Sequence, residues 1–211
     1  MAEKGNTREK ILFAALKLFA RDGYEAVSVR DIGREVSLSP AALYKHFANK
    51  RGILDAILER MAQNDARRAR DFEVPEKAFV QDRASYAATL PEKLISYTRA
   101  QYTYWTEDEF ASVFRRMLTL EQYKNPEMAR LFGQYLSGGV LGYLEDLFRE
   151  MPLSPEKDSP RQQALSFYAP VYFLIALSDE AADRARLRAD LDSHLERFFY
   201  NLKEGNTDEL D

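Results

Sequence analysis

The sequence predicts an all-α protein, a three-helix helix-turn-helix module at the N-terminus followed by a larger helical domain. Three observations carry this reading. Apolar residues recur at helical rather than alternating spacing along nearly all of the 211 residues. The few prolines and glycines, eight and nine, fall mainly at the joints between such stretches. No run of β-branched residues shows the sustained period of two that a half-buried strand requires.

The first helix is expected from Asn6 or Thr7, with Asn6 as N-cap and Glu9 completing a capping box. Ile11, Leu12, Ala15, Leu16 and Phe19 form its buried stripe, and Gly23 suits a left-handed C-cap. Ser28 caps a short second helix, with Asp31 near its positive end and Val29, Ile32 and Val36 facing inward. Ser37 and Leu38 make a brief turn. Ser39 then caps the third helix, and Pro40 takes its first position, where a missing N–H costs nothing. This helix, 40 to about 47, turns Leu43 and Phe47 inward at i, i+4. A long fourth helix covers about 50–72, and further helices are expected near 91–105, 107–123, 126–150, 160–178 and 183–203. Three prolines make 151–160 a loop, and the polar segment 204–211 is expected to fray. The expected domains are therefore a head of 1–50 and a larger helical body of 51–203, with 204–211 as tail.

Two short capped helices joined by a tight turn form a helix-turn-helix, whose second helix must be pinned by few residues so that the others reach the major groove. Leu43 and Phe47 pin it here. Ser39, Ala41, Ala42, Tyr44, Lys45 and His46 are left facing outward or toward the helix start. Charge permits the same role. The net charge is −4, yet residues 1–50 hold nine Lys/Arg against six Asp/Glu, and the remainder 21 against 28. A basic head on an acidic body engages phosphates through its local field.

The residues also carry a resemblance. The run Ile11-Leu12-x-Ala14-Ala15-x-x-Leu18-Phe19-x-x-x-Gly23-Tyr24, then Ser28-Val29-Arg30-Asp31-Ile32, resembles the opening of the TetR family of bacterial repressors. So do Leu38-Ser39-Pro40-Ala41-Ala42-Leu43-Tyr44-Lys45-His46-Phe47 and Asn49-Lys50. Two positions depart from the family pattern: Gly33 stands where alanine is usual, and Ser37 where glycine is usual. A glycine inside a short helix costs roughly 1 kcal/mol, which implies a looser second helix. Ser37 needs either a left-handed backbone or a different turn. The resemblance implies phosphate contacts for Ser28, Tyr44, His46 and Lys50. It implies base-proximal roles for Ser39, Pro40, Ala41 and Lys45, with Arg30 as a further reader. It also implies a homodimer on a palindromic double-stranded DNA operator, released by a small-molecule effector.

Residues 97–148 hold 11 of the 26 aromatic residues. Tyr97, Tyr102, Trp105, Phe110, Phe114, Met117, Tyr123, Phe132, Tyr135 and Tyr143 either line an apolar ligand pocket or fill ordinary core. If they fill core, the body serves only to dimerise or to bind a protein partner. Leu165, Tyr168, Tyr172 and Ile175, with Leu187, Leu191, Leu195, Phe198 and Leu202, give the last two helices apolar faces that predict a four-helix dimer interface.

The other chemistry-bearing residues support no enzyme. His46 and His194 lack partners at metal or triad spacing, and His194 sits among packing residues. Glu107, Asp108 and Glu109 read as first-turn charges, and Gly138-Gly139 as a close crossing or a bend. No metal or cofactor is expected. With no cysteine, no signal-peptide pattern and no apolar run longer than 168–177, a cytoplasmic protein without a membrane span is expected.

Overall fold

The computed structural model describes residues 2–72, 83–150 and 159–204, and the side chains of 7–72, 91–150 and 159–200. The expected tail, most of the expected loop 151–160 and the side chain of Leu202 lie outside these. The described residues form ten helices: α1 (Ala2–Asp22), α2 (Val29–Glu35), α3 (Pro40–Tyr44), α4 (Lys50–Asp71), α5 (Arg83–Glu107), α6 (Glu109–Glu121), α7 (Pro126–Leu136), α8 (Gly138–Glu150), α9 (Pro160–Leu177) and α10 (Arg184–Glu204). No strand occurs among the described residues, and none of their helices is long and apolar enough to cross a membrane.

The chain divides into two compact units. The first comprises Met1–Arg70 with Asp108–Phe132, the second Asp71–Glu107 with Gly133–Asp211. The first unit thus reaches past the expected 1–50 module. Phe110, Phe114, Met117 and Leu118 of α6 are buried, and α6 packs along α1. The core of this unit adds Ile11, Leu12, Leu16 and Phe19 of α1, Ile32, Leu43, and Ile53, Leu54, Ile57 and Met61 of α4. In the second unit α9 packs on α8 and α10, and α5 packs on both α9 and α10.

Several boundaries follow side-chain caps, Ser28 and Ser39 among them as expected. Ser28, Ser39 and Ser159 each accept a backbone N–H from the residue three positions on, and so does Asp108 at the start of α6. Others differ. Helix α1 starts at Ala2, so Asn6 is inside a helix rather than its N-cap, and Glu9 pairs with Arg60 instead of closing a capping box. Helix α5 begins eight residues before Pro91, through an alanine-rich stretch of high helix propensity. The expected helix over 126–150 breaks at Ser137. Gly139 approaches the preceding turn so closely that a Cβ there would sit 2.4 Å from the Gln134 carbonyl oxygen. The glycine pair therefore makes a bend.

Candidate nucleic-acid interface

The helix-turn-helix is assembled by local bonds. The Ser28 hydroxyl accepts the Asp31 N–H at 3.2 Å, and Asp31 Oδ2 accepts the Ser28 N–H at 2.9 Å, a reciprocal capping box. At the other end of α2, Leu38 N–H donates to the Gly33 carbonyl at 2.8 Å and Ser37 N–H to the Arg34 carbonyl at 3.2 Å. Ser37 stands in the left-handed region with φ 56°. This is the Schellman closure, with serine where glycine is usual. Helix α3 follows from Ser39, whose hydroxyl accepts the Ala42 N–H at 3.2 Å. It ends after Tyr44, earlier than expected, and Lys45 acts as its C-cap. Leu43 and Phe47 are buried as predicted.

The outer surface keeps Arg30, Ser39, Pro40, Ala41 and Lys45 exposed, with Tyr44 53% exposed and His46 half-buried. Among the described residues, Arg30 and Lys45 have no carboxylate partner, whereas Arg34 lies 3.5 Å from Asp31. Arg8, which the sequence analysis does not single out, lays its guanidinium 4.7 Å from the centre of the Phe47 ring. Two of the expected phosphate ligands also make bonds within the protein. The Ser28 hydroxyl donates to Asp31 at 2.5 Å. Lys50 Nζ donates to the carbonyls of Tyr24 and Glu25, at 2.9 and 3.4 Å, and lies 4.3 Å from the centre of the Tyr24 ring. Its ammonium is turned into the first unit.

The expected ligand residues divide between the two units. Phe110, Phe114 and Met117 belong to the core of the first, where Phe110 stacks on Phe13 with ring centres 6.1 Å apart. Phe132 is half-buried at the end of that unit. Tyr123, just past α6, is 87% exposed and forms no wall of an enclosed space. In the second unit Tyr102 and Trp105 are buried, while Tyr97, Tyr135 and Tyr143 are half-buried. Trp105 meets Tyr135 edge-on at 6.4 Å, and Tyr97 meets Phe72 at 5.6 Å. Burial pushes the Tyr102 hydroxyl above its ordinary pKa.

The expected dimer face is partly consumed within the chain. Ile175, Leu187, Leu191 and Leu195 are buried, because the apolar stripe of α10 packs on α9 and α5 of its own unit. Phe198 is half-buried in a cluster with Phe148, Phe167 and Phe199. His194 donates its Nε2–H to the Phe167 carbonyl at 2.8 Å beside them, a packing role. Leu165 is exposed, and Tyr168 and Tyr172 are half-buried. The exposed apolar residues also include Phe173, Leu177 and Tyr200, which the sequence analysis misses. Helix α9 is apolar nearly all round, so periodicity alone does not say which side faces out.

The acidic triplet shows no metal geometry. Asp108 caps α6 through the Ala111 N–H at 2.8 Å, Glu109 pairs with Lys17, and Glu107 pairs with Arg188. No metal-holding cluster occurs among the described residues.

Comparison with known proteins agrees with this geometry. Residues 11–57 match the profile of the family described as "Bacterial regulatory proteins, tetR family". The HTH-type transcriptional regulator YvkB of Bacillus subtilis is 33% identical over 58 residues, 28% of this chain and 31% of that protein. The match therefore spans less than a third of the curated relative. Among solved structures, SmeT of Stenotrophomonas maltophilia in complex with triclosan superposes with TM-score 0.67 at 19% identity, covering 93% of this chain and 91% of SmeT. A Saccharomonospora viridis protein in complex with choline gives 0.62 at 19% identity, covering 91% and 96%. At such identities the likeness establishes a shared fold.

Proposed function

We propose that the chain, whose residues 11–57 match the model of the tetR family of bacterial regulatory proteins, is a ligand-responsive transcriptional regulator of that family acting as a homodimer on a palindromic operator. The observation that carries the DNA reading is the exposed surface of α3. A closed Schellman turn presents Ser39, Pro40, Ala41, Tyr44, Lys45 and His46 outward, while Leu43 and Phe47 anchor the helix from beneath. Lys45 and Arg30, free of carboxylate partners among the described residues, serve as base or phosphate contacts, and Tyr44 and His46 as phosphate contacts. Ser28, as the cap of α2, and Lys50, through the carbonyls of Tyr24 and Glu25, also support the module.

Repression is the proposed sense of regulation; SmeT, which shares the fold, is described as the repressor of a multidrug efflux pump. The proposed effector is small and mostly apolar or aromatic. Support comes from the half-buried tyrosines 97, 135 and 143 of the second unit, of which Tyr135 meets the buried Trp105 edge-on, combining ring surface with hydroxyls for orientation. Control requires the effector to prefer a state that DNA disfavours.

The test is binding to duplex DNA from upstream of the protein's own coding sequence, followed across salt concentration. Affinity falls steeply with salt, with a log–log slope of about −0.9 per phosphate contacted. Lys45→Ala relaxes sequence preference if Lys45 reads a base, and weakens all sequences equally if it holds a phosphate. Binding that shows neither salt dependence nor sequence preference removes the proposal.

A further inference from the structure

One buried carboxylate in the first unit takes no part in the outer surface of α3. Glu121, in the last turn of α6, is 3% exposed. Its Oε1 accepts the backbone N–H of Tyr24 at 3.0 Å, across 97 positions of sequence. The carbonyl of the same residue accepts from Lys50 Nζ at 2.9 Å, and that ammonium also lies over the Tyr24 ring. The ring in turn packs edge-on against Phe19 of α1, at 5.0 Å. Tyr24 is thus held through its N–H by α6 and through its carbonyl and ring by the first residue of α4. Next to it, Gly23 has φ +89°, and a Cβ there would stand 2.9 Å from the same Oε1. The carboxylate fills the space that any larger residue at 23 would need.

The place of this clasp matters. Tyr24 opens the turn that ends four residues later at Ser28, the N-cap of α2. Moving that turn moves the whole helix-turn-helix relative to α1. Two ion pairs also link α6 and α7 to the module, Lys17–Glu109 and Arg51–Glu127, both between exposed or half-exposed side chains. Burying a carboxylate is costly unless its bonds repay the lost hydration. Here one of those bonds goes to the backbone of the turn.

We infer that Glu121 is a positioning residue for DNA recognition, setting α2 and α3 in place by holding the turn at Tyr24 against Lys50. The inference rests on the DNA-binding reading above. It also ties α6 to the turn that leads into α2, and the segment that carries α6, Asp108–Phe132, is bracketed in sequence by segments of the second unit.

The test uses the full chain and its Glu121→Gln, Glu121→Asp and Glu121→Ala variants. Two readouts are taken: amide hydrogen exchange across the turn, and the affinity ratio between a duplex selected from a random-sequence pool and the random pool itself. Gln keeps an acceptor within reach and stays within about twofold of the parent, whereas Asp and Ala lose about tenfold in that ratio, the worth of one hydrogen bond to a charged group. Affinity for the random pool, which phosphate contacts dominate, stays unchanged, and faster exchange is confined to the turn. The inference is overturned if Glu121→Asp keeps both the ratio and the protection of Tyr24. It is equally overturned if protection falls throughout α1 and α4 while both affinities drop together, the mark of a merely structural residue. Should Glu121→Ala fail to fold, the Asp and Gln variants decide. Should the parent chain select no duplex, the DNA-binding reading falls, and exchange at Tyr24 alone upholds or overturns the positioning role.

Discussion

The N–H and the hydroxyl of Ser28 both donate to the carboxylate of Asp31, at 2.9 and 2.5 Å. Those are the only two donors Ser28 has. Both donors are thus engaged by a carboxylate of the helix that Ser28 caps. The same bonds, the side-chain one foremost, hold the Asp31 carboxyl below its ordinary value of 3.8. Glu127 is held below its ordinary 4.5 chiefly by the fork of Arg51, whose nitrogens lie 2.6 and 2.8 Å from its oxygens. The sign for stability follows. Each group has a folded pKa below its unfolded one, so its contribution is present above the unfolded value and is lost as pH falls through the folded value. Urea midpoints of the parent chain therefore decline on acidification below those ordinary values. Asp31→Asn and Glu127→Gln each make that decline shallower. Parallel acid profiles for parent and variants would show that neither bond is linked to folding.

At the scale of the element, the end of α2 reverses an expectation. Gly33 reads in the sequence as a weak point, yet in the structure it is buried, and a Cβ there would stand 2.7 Å from the Leu38 carbonyl oxygen. The close turn needs glycine at 33 because the chain folds back onto α2, while Ser37 bears the left-handed backbone. Gly33→Ala should lower stability by about 1–3 kcal/mol through overpacking. Ser37→Gly should raise it by about 1 kcal/mol by relieving the left-handed strain. Denaturant midpoints of the two variants check both signs, and a Gly33→Ala protein as stable as its parent would mean that the turn relaxes freely. The same contrast marks how far the sequence could be read. Caps at Ser28 and Ser39 were legible because a hydroxyl and an N–H three residues on are neighbours in sequence and in space. So was the outward set on α3, since Leu43 and Phe47 define its inner face. Lys50 was not: its partners, the carbonyls of Tyr24 and Glu25, become neighbours only after α1 and α4 pack. The leucines of α10 were legible as buried, but periodicity cannot say whether the same chain or a second copy buries them.

For the whole molecule, the proposed dimer depends on what α9 leaves uncovered. Leu165, Ala169, Phe173 and Leu177 recur every four residues along it and are all exposed, and Tyr200 of α10 is exposed as well. Rows at that interval are the ridges through which paired helices interlock, and a symmetric pair would set this row against its own copy. Phe173, 61% exposed, is the largest residue of the row, so Phe173→Arg places a charge on each side of the proposed seam without entering the core. The expected outcome is a folded monomer by sedimentation velocity. Its affinity for a full palindrome should fall by about 10²–10⁴, because the second head no longer binds at high effective concentration. Affinity for a single half-site should not change. Leu191→Arg supplies the contrast: Leu191 is buried within its own chain, so that variant should lose folding rather than assembly. If Phe173→Arg stays dimeric while Leu191→Arg unfolds, the chain still pairs, but through a surface other than the row on α9, and the spacing of its two recognition helices must then be derived from that other surface.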